Sequence, residues 1–193
     1  MLKHFTFIFW LLRAKTVHEL DSPYLFDFHN RVILRRNKGF SDPSNDAIIS
    51  EFSKKAFELL NRLILFFNPD KIYIRTHSKE LDNVLNQNFN KESLINASTN
   101  LQDAGSNRDM FIFYNEPVNW AIINNDNVVV FTRKYNDKKK TNRLHLQHVP
   151  DNFNLIIDLW YWVIATRQDK LKESMIAKVN PFDFRWKPGL FRN

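Results

Sequence analysis

From Lys71 to Val179 the chain is a succession of short apolar runs separated by polar or helical stretches, and this rhythm restricts the possible folds more than any other feature. The runs are "KIYI" (71–74), "SLINA" (93–97), "DMFIFY" (109–114), "NVVVFT" (127–132), "FNLIIDLW" (153–160), "YWVIATR" (161–167) and "SMIAKV" (174–179). Each is strand-length, rich in Ile, Val or aromatics, and bounded by polar turn residues. Helical candidates at Glu80–Phe89 and Pro117–Ile123 separate the early runs, which is the pattern of parallel strands joined by crossover helices. The runs at 153–160 and 161–167 adjoin with no helix between them, so the sheet is expected to finish with antiparallel strands. The expected fold is α/β with a Rossmann-like sheet of five to seven strands.

Ahead of the sheet, Ile49, Phe52, Ala56, Leu59, Leu60, Leu63 and Phe67 recur at helical spacing and stop before Asn68-Pro69. This helix is expected to pack on the sheet. Further upstream, Asp21-Ser22-Pro23 reads as a helix start, with Ser22 as cap and Pro23 at the first helical position. Residues 1–40 are thus expected to form an N-terminal helical extension and residues 41–193 the α/β domain, in one globular unit. A chain of 193 residues is of ordinary single-domain size.

The segment "MLKHFTFIFWLLRAK" has an apolar run at residues 5–12, flanked by Lys3, Arg13 and Lys15. It is too short to span a bilayer and lacks a small-residue cleavage site. Three readings stay open: a helix packed on the domain, a basic aromatic helix lying on a membrane surface, and an export signal. A cytoplasmic location, with peripheral attachment to the inner membrane as a variant, fits the first two.

Composition removes whole classes of chemistry. There is no cysteine, so disulfides, thiolate metal sites and cysteine nucleophiles are excluded. Gly39, Gly105 and Gly189 are the only glycines. No P-loop or dinucleotide fingerprint can be written with them. The net charge is +7, and all of it lies in the last third: residues 1–131 hold 15 basic and 15 acidic side chains, residues 132–193 hold 13 and 6. Localised positive charge suits an anionic partner.

The first strand runs into "RTHSKE", the place where nucleotide-using α/β proteins carry glycines. Arg75, Thr76, His77, Ser78 and Lys79 occupy this turn. His77 could act as a base oriented by Glu80 or Asp82, or be a solvated turn residue. His145 and His148 share a helical face and could bind a metal, or lie on a partly exposed helix with no completing ligand nearby. Arg133, Lys134, Lys138, Lys139, Lys140 and Arg143 surround one tyrosine in "RKYNDKKKTNR" and suit phosphates, or form an ordinary solvated loop. The tail "NPFDFRWKPGLFRN" interleaves aromatics with Arg185, Lys187 and Arg192, which suits base stacking, protein docking or packing on its own domain. "DLWYW" (158–162) reads as strand core or as a stacking platform.

Several of these blocks also resemble a family. "LLRAKTVHELDSPYLFDFHNRVI", "KKAFELLNRLILFFNPDKIYI", "DNVVVFT" and "VPDNFNLIIDLWYWVIATRQDKLKESMIAKV" are similar, in the same order, to segments of a group of bacterial class I S-adenosylmethionine-dependent methyltransferases. The resemblance implies a shortened methyltransferase-like sheet and S-adenosylmethionine as the ancestral cofactor. The family's "LELGTSLG" loop falls on "YIRTHSKE", with its acid at Ile74 and its glycines at Thr76 and Glu80. Its "DGNH" falls on "YNEP" (114–117), and its acidic pair on Thr132-Arg133. The interval from first strand to "DMFIFY" is also short by one βα unit, as if the first strand had been joined to the second helix. The resemblance therefore implies a degenerate member that has lost cofactor binding, has no catalytic residues, and works as a binding or assembly component with a protein or RNA partner. The alternatives are an active methyltransferase with an atypical cofactor site and a basic RNA- or ribosome-associated protein.

Overall fold

The computed structural model describes residues 22–34, 51–76, 78–89, 94–96, 108–124, 126–132, 149–159, 161–169, 171 and 174–179. In chain order the elements are a helix α1 at Pro23–Phe28 that continues as a π-helix over His29–Leu34, then α2 at Glu51–Phe67, β1 at Ile72–Thr76, α3 at Lys79–Asn88 and β2 at Leu94–Asn96. After these come β3 at Met110–Tyr114, a 3-10 turn at Trp120–Ile122, β4 at Val128–Thr132, β5 at Leu155–Asp158, β6 at Trp162–Thr166 and β7 at Met175–Lys178. Seven strands form one sheet in the order β2-β1-β3-β4-β6-β5-β7.

β2, β1, β3 and β4 run parallel, with Ile72 beside Leu94 and Met110, and Met110 beside Val128. β6 pairs antiparallel with both β4 and β5, and β7 returns to run parallel with β5. Six strands therefore share one direction and β6 alone opposes them. This is the Rossmann-like α/β sheet of five to seven strands expected from the apolar runs, with the antiparallel finish confined to one inserted strand.

Strand alternation divides the core in two. Ile72, Ile74, Met110, Ile112, Tyr114, Val130, Ile157, Trp162 and Ile164 face one way and pack with all three helices. Leu25 and Phe28 of α1 and Val32 and Ile33 of the π-helix join Phe57, Leu60, Leu63 and Ile64 of α2 and Leu81, Val84 and Leu85 of α3 in that layer. Tyr73, Phe111, Phe113, Val129, Phe131, Ile156, Val163 and Ala165 face the other way, closed by Ile123 and Phe153 with Trp120 against them. Strands buried on both faces read as continuous apolar runs, which is why "DMFIFY" and "NVVVFT" carry no polar alternation.

Local signals explain the element ends. Asn68 ends α2 in the left-handed region at φ 46°, its N–H donating to the Ile64 carbonyl at 2.8 Å, and Pro69 bars continuation. Pro23 stands at the first position of α1, but Ser22 makes no side-chain cap bond; its carbonyl instead accepts from the Phe26 N–H at 2.9 Å. At the other end, Arg62 Nη1 donates to the Val32 and Ile33 carbonyls at 3.0 and 3.1 Å, meeting acceptors that a helix end leaves unpaired. The guanidinium thereby fastens the π-helix to α2.

One expected element is corrected. Pro117–Ile123 is not a crossover helix: only Trp120–Ile122 coil, as a single 3-10 turn with Asn119 Oδ1 accepting from the Ala121 N–H at 3.3 Å. Seven residues make barely two turns, which alone do not offset helix nucleation, and Trp120 is held instead against Phe131 and Phe153, at ring separations of 6.0 and 5.2 Å.

Candidate functional site at the carboxyl rim of the sheet

β1 is followed by β2 on one side and by β3 on the other, so the strand order reverses between β1 and β3. Open α/β sheets bind ligands at the carboxyl ends of strands beside such a reversal, because the diverging connections leave a crevice there. The carboxyl ends of β1 and β3 are Thr76 and Tyr114, which are register partners. A cleft of about 250 Å3 opens at this point, lined among the described residues by Ser78, Tyr114, Asn115 and Glu116. That is somewhat below the roughly 300–1,000 Å3 of pockets that enclose drug-sized ligands.

The cleft's geometry follows from three connections. Only two residues of sequence, His77 and Ser78, separate β1 from α3. There, the Ser78 N–H donates to Thr76 Oγ1 at 2.9 Å and Ser78 Oγ accepts from the Leu81 N–H at 3.3 Å. The Asp82 N–H also bonds back, to the Ser78 carbonyl at 3.2 Å. A helix N-terminus binds anions through unpaired N–H groups. Here those of Ser78 and Leu81 are engaged within the turn, and the Asp82 N–H opens the regular helical ladder. Burial raises the Asp82 carboxyl above its ordinary value, so the first turn of α3 holds its charge less readily than a surface aspartate.

At the end of β3, Asn115 takes the left-handed conformation at φ 55°, which Asn tolerates better than most residues. Its N–H donates to Thr132 Oγ1 at 2.9 Å, tying the end of β3 to the end of β4. The third connection is the tight hairpin from β5 to β6, in which the Leu159 N–H donates to the Trp162 carbonyl at 2.9 Å. Because β6 is reversed, this hairpin lies on the same rim as the other carboxyl ends. It presents Tyr161, whose hydroxyl is hydrogen-bonded to that of Tyr114 at 3.1 Å. Phe57 and Trp162 pack around the Tyr114 ring, each at 5.9 Å.

Of the five turn residues singled out in the sequence, Ser78 lines the cleft and Thr76 braces it. Arg75 is half-buried and, by alternation, on the opposite face of β1 from Thr76; Lys79 is exposed; His77 lies outside the described residues. Arg133, Lys134, Lys138, Lys139, Lys140, Arg143, Arg185 and Lys187 lie outside them too, as do Arg192, His145, His148 and residues 5–12. In "DLWYW", Trp162 is wholly buried core and Tyr161 half-buried on the rim, while Trp160 is outside the described residues. Asn115 and Glu116 drew notice in the sequence only as departures from a family motif. The better signal was an Asn directly after a fully apolar strand and two residues before a proline.

Chemically, the described lining offers one carboxylate, two hydroxyls and a carboxamide, and no imidazole or cationic group. It can hydrogen-bond a small polar ligand. Among the described residues no group of three His, Asp or Glu is placed to hold a metal, and no helix is long and apolar enough to cross a membrane. No protein-family model, curated protein or solved structure matches the chain.

Proposed function

We propose that this chain is a methyltransferase-like α/β protein that no longer binds S-adenosylmethionine and acts as a binding or assembly component. The observation that carries the reading is the two-residue connection after β1. It stands where a cofactor loop would stand, and its hydrogen-bonding groups close on each other through Thr76, Ser78 and Leu81. A glycine loop would offer those backbone groups to a ligand. Titration calorimetry with S-adenosylmethionine is the test: no binding heat is expected, and micromolar affinity would overturn the proposal in favour of an active enzyme with an atypical site.

The partner we infer is an anionic macromolecule, with RNA as the first choice. Support comes from where the basic excess begins: Arg133 directly follows Thr132, whose hydroxyl is bonded to Asn115 on the cleft rim. The net positive third of the chain therefore begins with Thr132, at the carboxyl rim of the sheet. RNA binding through such residues weakens with salt, because neutralised phosphates release their counterions. Affinity for a single-stranded RNA oligonucleotide should fall steeply between 50 and 200 mM salt. Affinity insensitive to salt would remove phosphate contacts from the reading.

A further inference from the structure

At the edge of the sheet opposite the cleft, β4 is preceded by Asn127, whose side chain is completely buried. Neither its Nδ2 nor its Oδ1 has a hydrogen-bond partner. Two main-chain donors there are used: the Asn127 N–H donates to the Asn124 carbonyl at 3.2 Å, and the Val128 N–H to the Asp109 carbonyl at 3.1 Å. The carboxamide is unmet. A buried amide left in this state loses its hydration with nothing in return, and folded proteins almost always meet such groups with a protein partner or an ordered water.

The neighbourhood is polar enough to hold one. Met110 and Val128 are register partners, so Asp109 and Asn127, one residue earlier on each strand, stand side by side at the amino ends of β3 and β4. By alternation both belong to the face of Phe111 and Val129. The Asp109 side chain is also completely buried. A carboxylate and a carboxamide thus lie adjacent on one face of the central sheet, shut off from bulk solvent.

We infer that this pair builds an internal hydration site, in which an ordered water meets the Asn127 carboxamide beside the Asp109 carboxylate. The choice of water over an ion follows from the amide itself. Nδ2 needs an acceptor and Oδ1 needs a donor. A metal cation would serve only the oxygen, and an ammonium group would also leave Nδ2 unmet. Water donates and accepts, and buried waters typically bridge groups left unpaired by the fold. The site would join the amino ends of β3 and β4, away from the rim that carries the cleft, and is independent of any ligand there.

The test uses the full chain. Crystals diffracting well enough to show ordered solvent should reveal a density peak about 2.7–3.2 Å from Asn127 Nδ2 or Oδ1. In solution, the Asn127 side-chain amide protons should show cross-peaks to a long-lived water, which Asn127→Leu abolishes along with the amide. An empty site, a carboxamide bonded only to protein groups, or a peak at the shorter distances of a coordinated cation would each overturn the inference. If Asn127→Leu fails to fold, the wild-type cross-peaks decide alone, and their absence counts against the water.

Discussion

The indole Nε1–H of Trp162 donates to the main-chain carbonyl of Ala56 at 2.8 Å, inside the core and across 106 positions of sequence. It joins β6, the reversed strand, to α2, the helix that precedes the sheet. The same ring lies 5.9 Å from Tyr114 and 5.3 Å from Tyr161, so one side chain supports both the helical layer and the aromatic group at the rim. Trp162→Phe should lower stability by about 1–3 kcal/mol, from the lost hydrogen bond and the void beside a smaller ring. Urea denaturation with an unchanged slope would identify the loss as native-state stability; a change under 0.5 kcal/mol would show that the bond is energetically idle.

Ser78 caps α3 with its own side chain. Ser78→Ala should cost about 1 kcal/mol, the usual effect of removing a serine cap. Binding of S-adenosylmethionine is not expected to appear in this variant, because the short connection after β1 stays in place. Calorimetric binding in Ser78→Ala but not in wild type would mean that the cap alone excludes S-adenosylmethionine.

Asn115 sits at positive φ with its N–H held by Thr132. Asn115→Gly should be close to neutral, since glycine reaches this region freely. Asn115→Val should cost about 1–2 kcal/mol through the clash of a β-branched side chain in the left-handed region. For a chain of this size that loss corresponds to a fall in Tm of about 2–8 °C. Equal Tm values for the two variants would show that the turn relaxes to negative φ.

Tyr24 on α1 is expected to govern part of the alkaline stability. Burial, and secondarily the Asp27 carboxylate, raise its phenol well above the ordinary value of about 10. A group whose folded pKa is raised contributes stability that is complete below its unfolded pKa and is lost as pH rises toward the folded value. Stability should therefore decline above about pH 10. Tyr24→Phe removes the titrating group and should flatten that decline while changing little at pH 7. Identical alkaline profiles for variant and wild type would refute the assignment.

How much of this was readable in advance depends on the range of the interaction. The strands and α2 were legible because burial imposes a period that the residues must follow; Ala56, Leu59, Leu60 and Leu63 of the expected face are buried, while Phe57 and Ile64, outside the expected set, widen that face. Asn68-Pro69 announced a helix end for local steric reasons. The π-helix was hidden, since its wider turn depends on how Val32 and Ile33 meet Arg62, 29–30 residues away. The cleft was half legible. The glycine-free turn at Ser78 is local, whereas the Tyr114–Tyr161 hydroxyl pair is created by the insertion of β6, and no short window of sequence contains both.

That insertion also sets the order in which the chain can complete itself. β4 ends at Thr132, yet its outer neighbour is β6, which begins at Trp162 and must first turn back from β5. During synthesis β4 therefore waits about 30 residues with one hydrogen-bonding edge open, and at ordinary translation rates that interval lasts seconds. Non-local pairing of this kind slows folding and exposes a strand template to other chains meanwhile. The hairpin of β5 and β6 acts as a late-arriving wedge, and the nascent protein is most prone to self-association just before it is made.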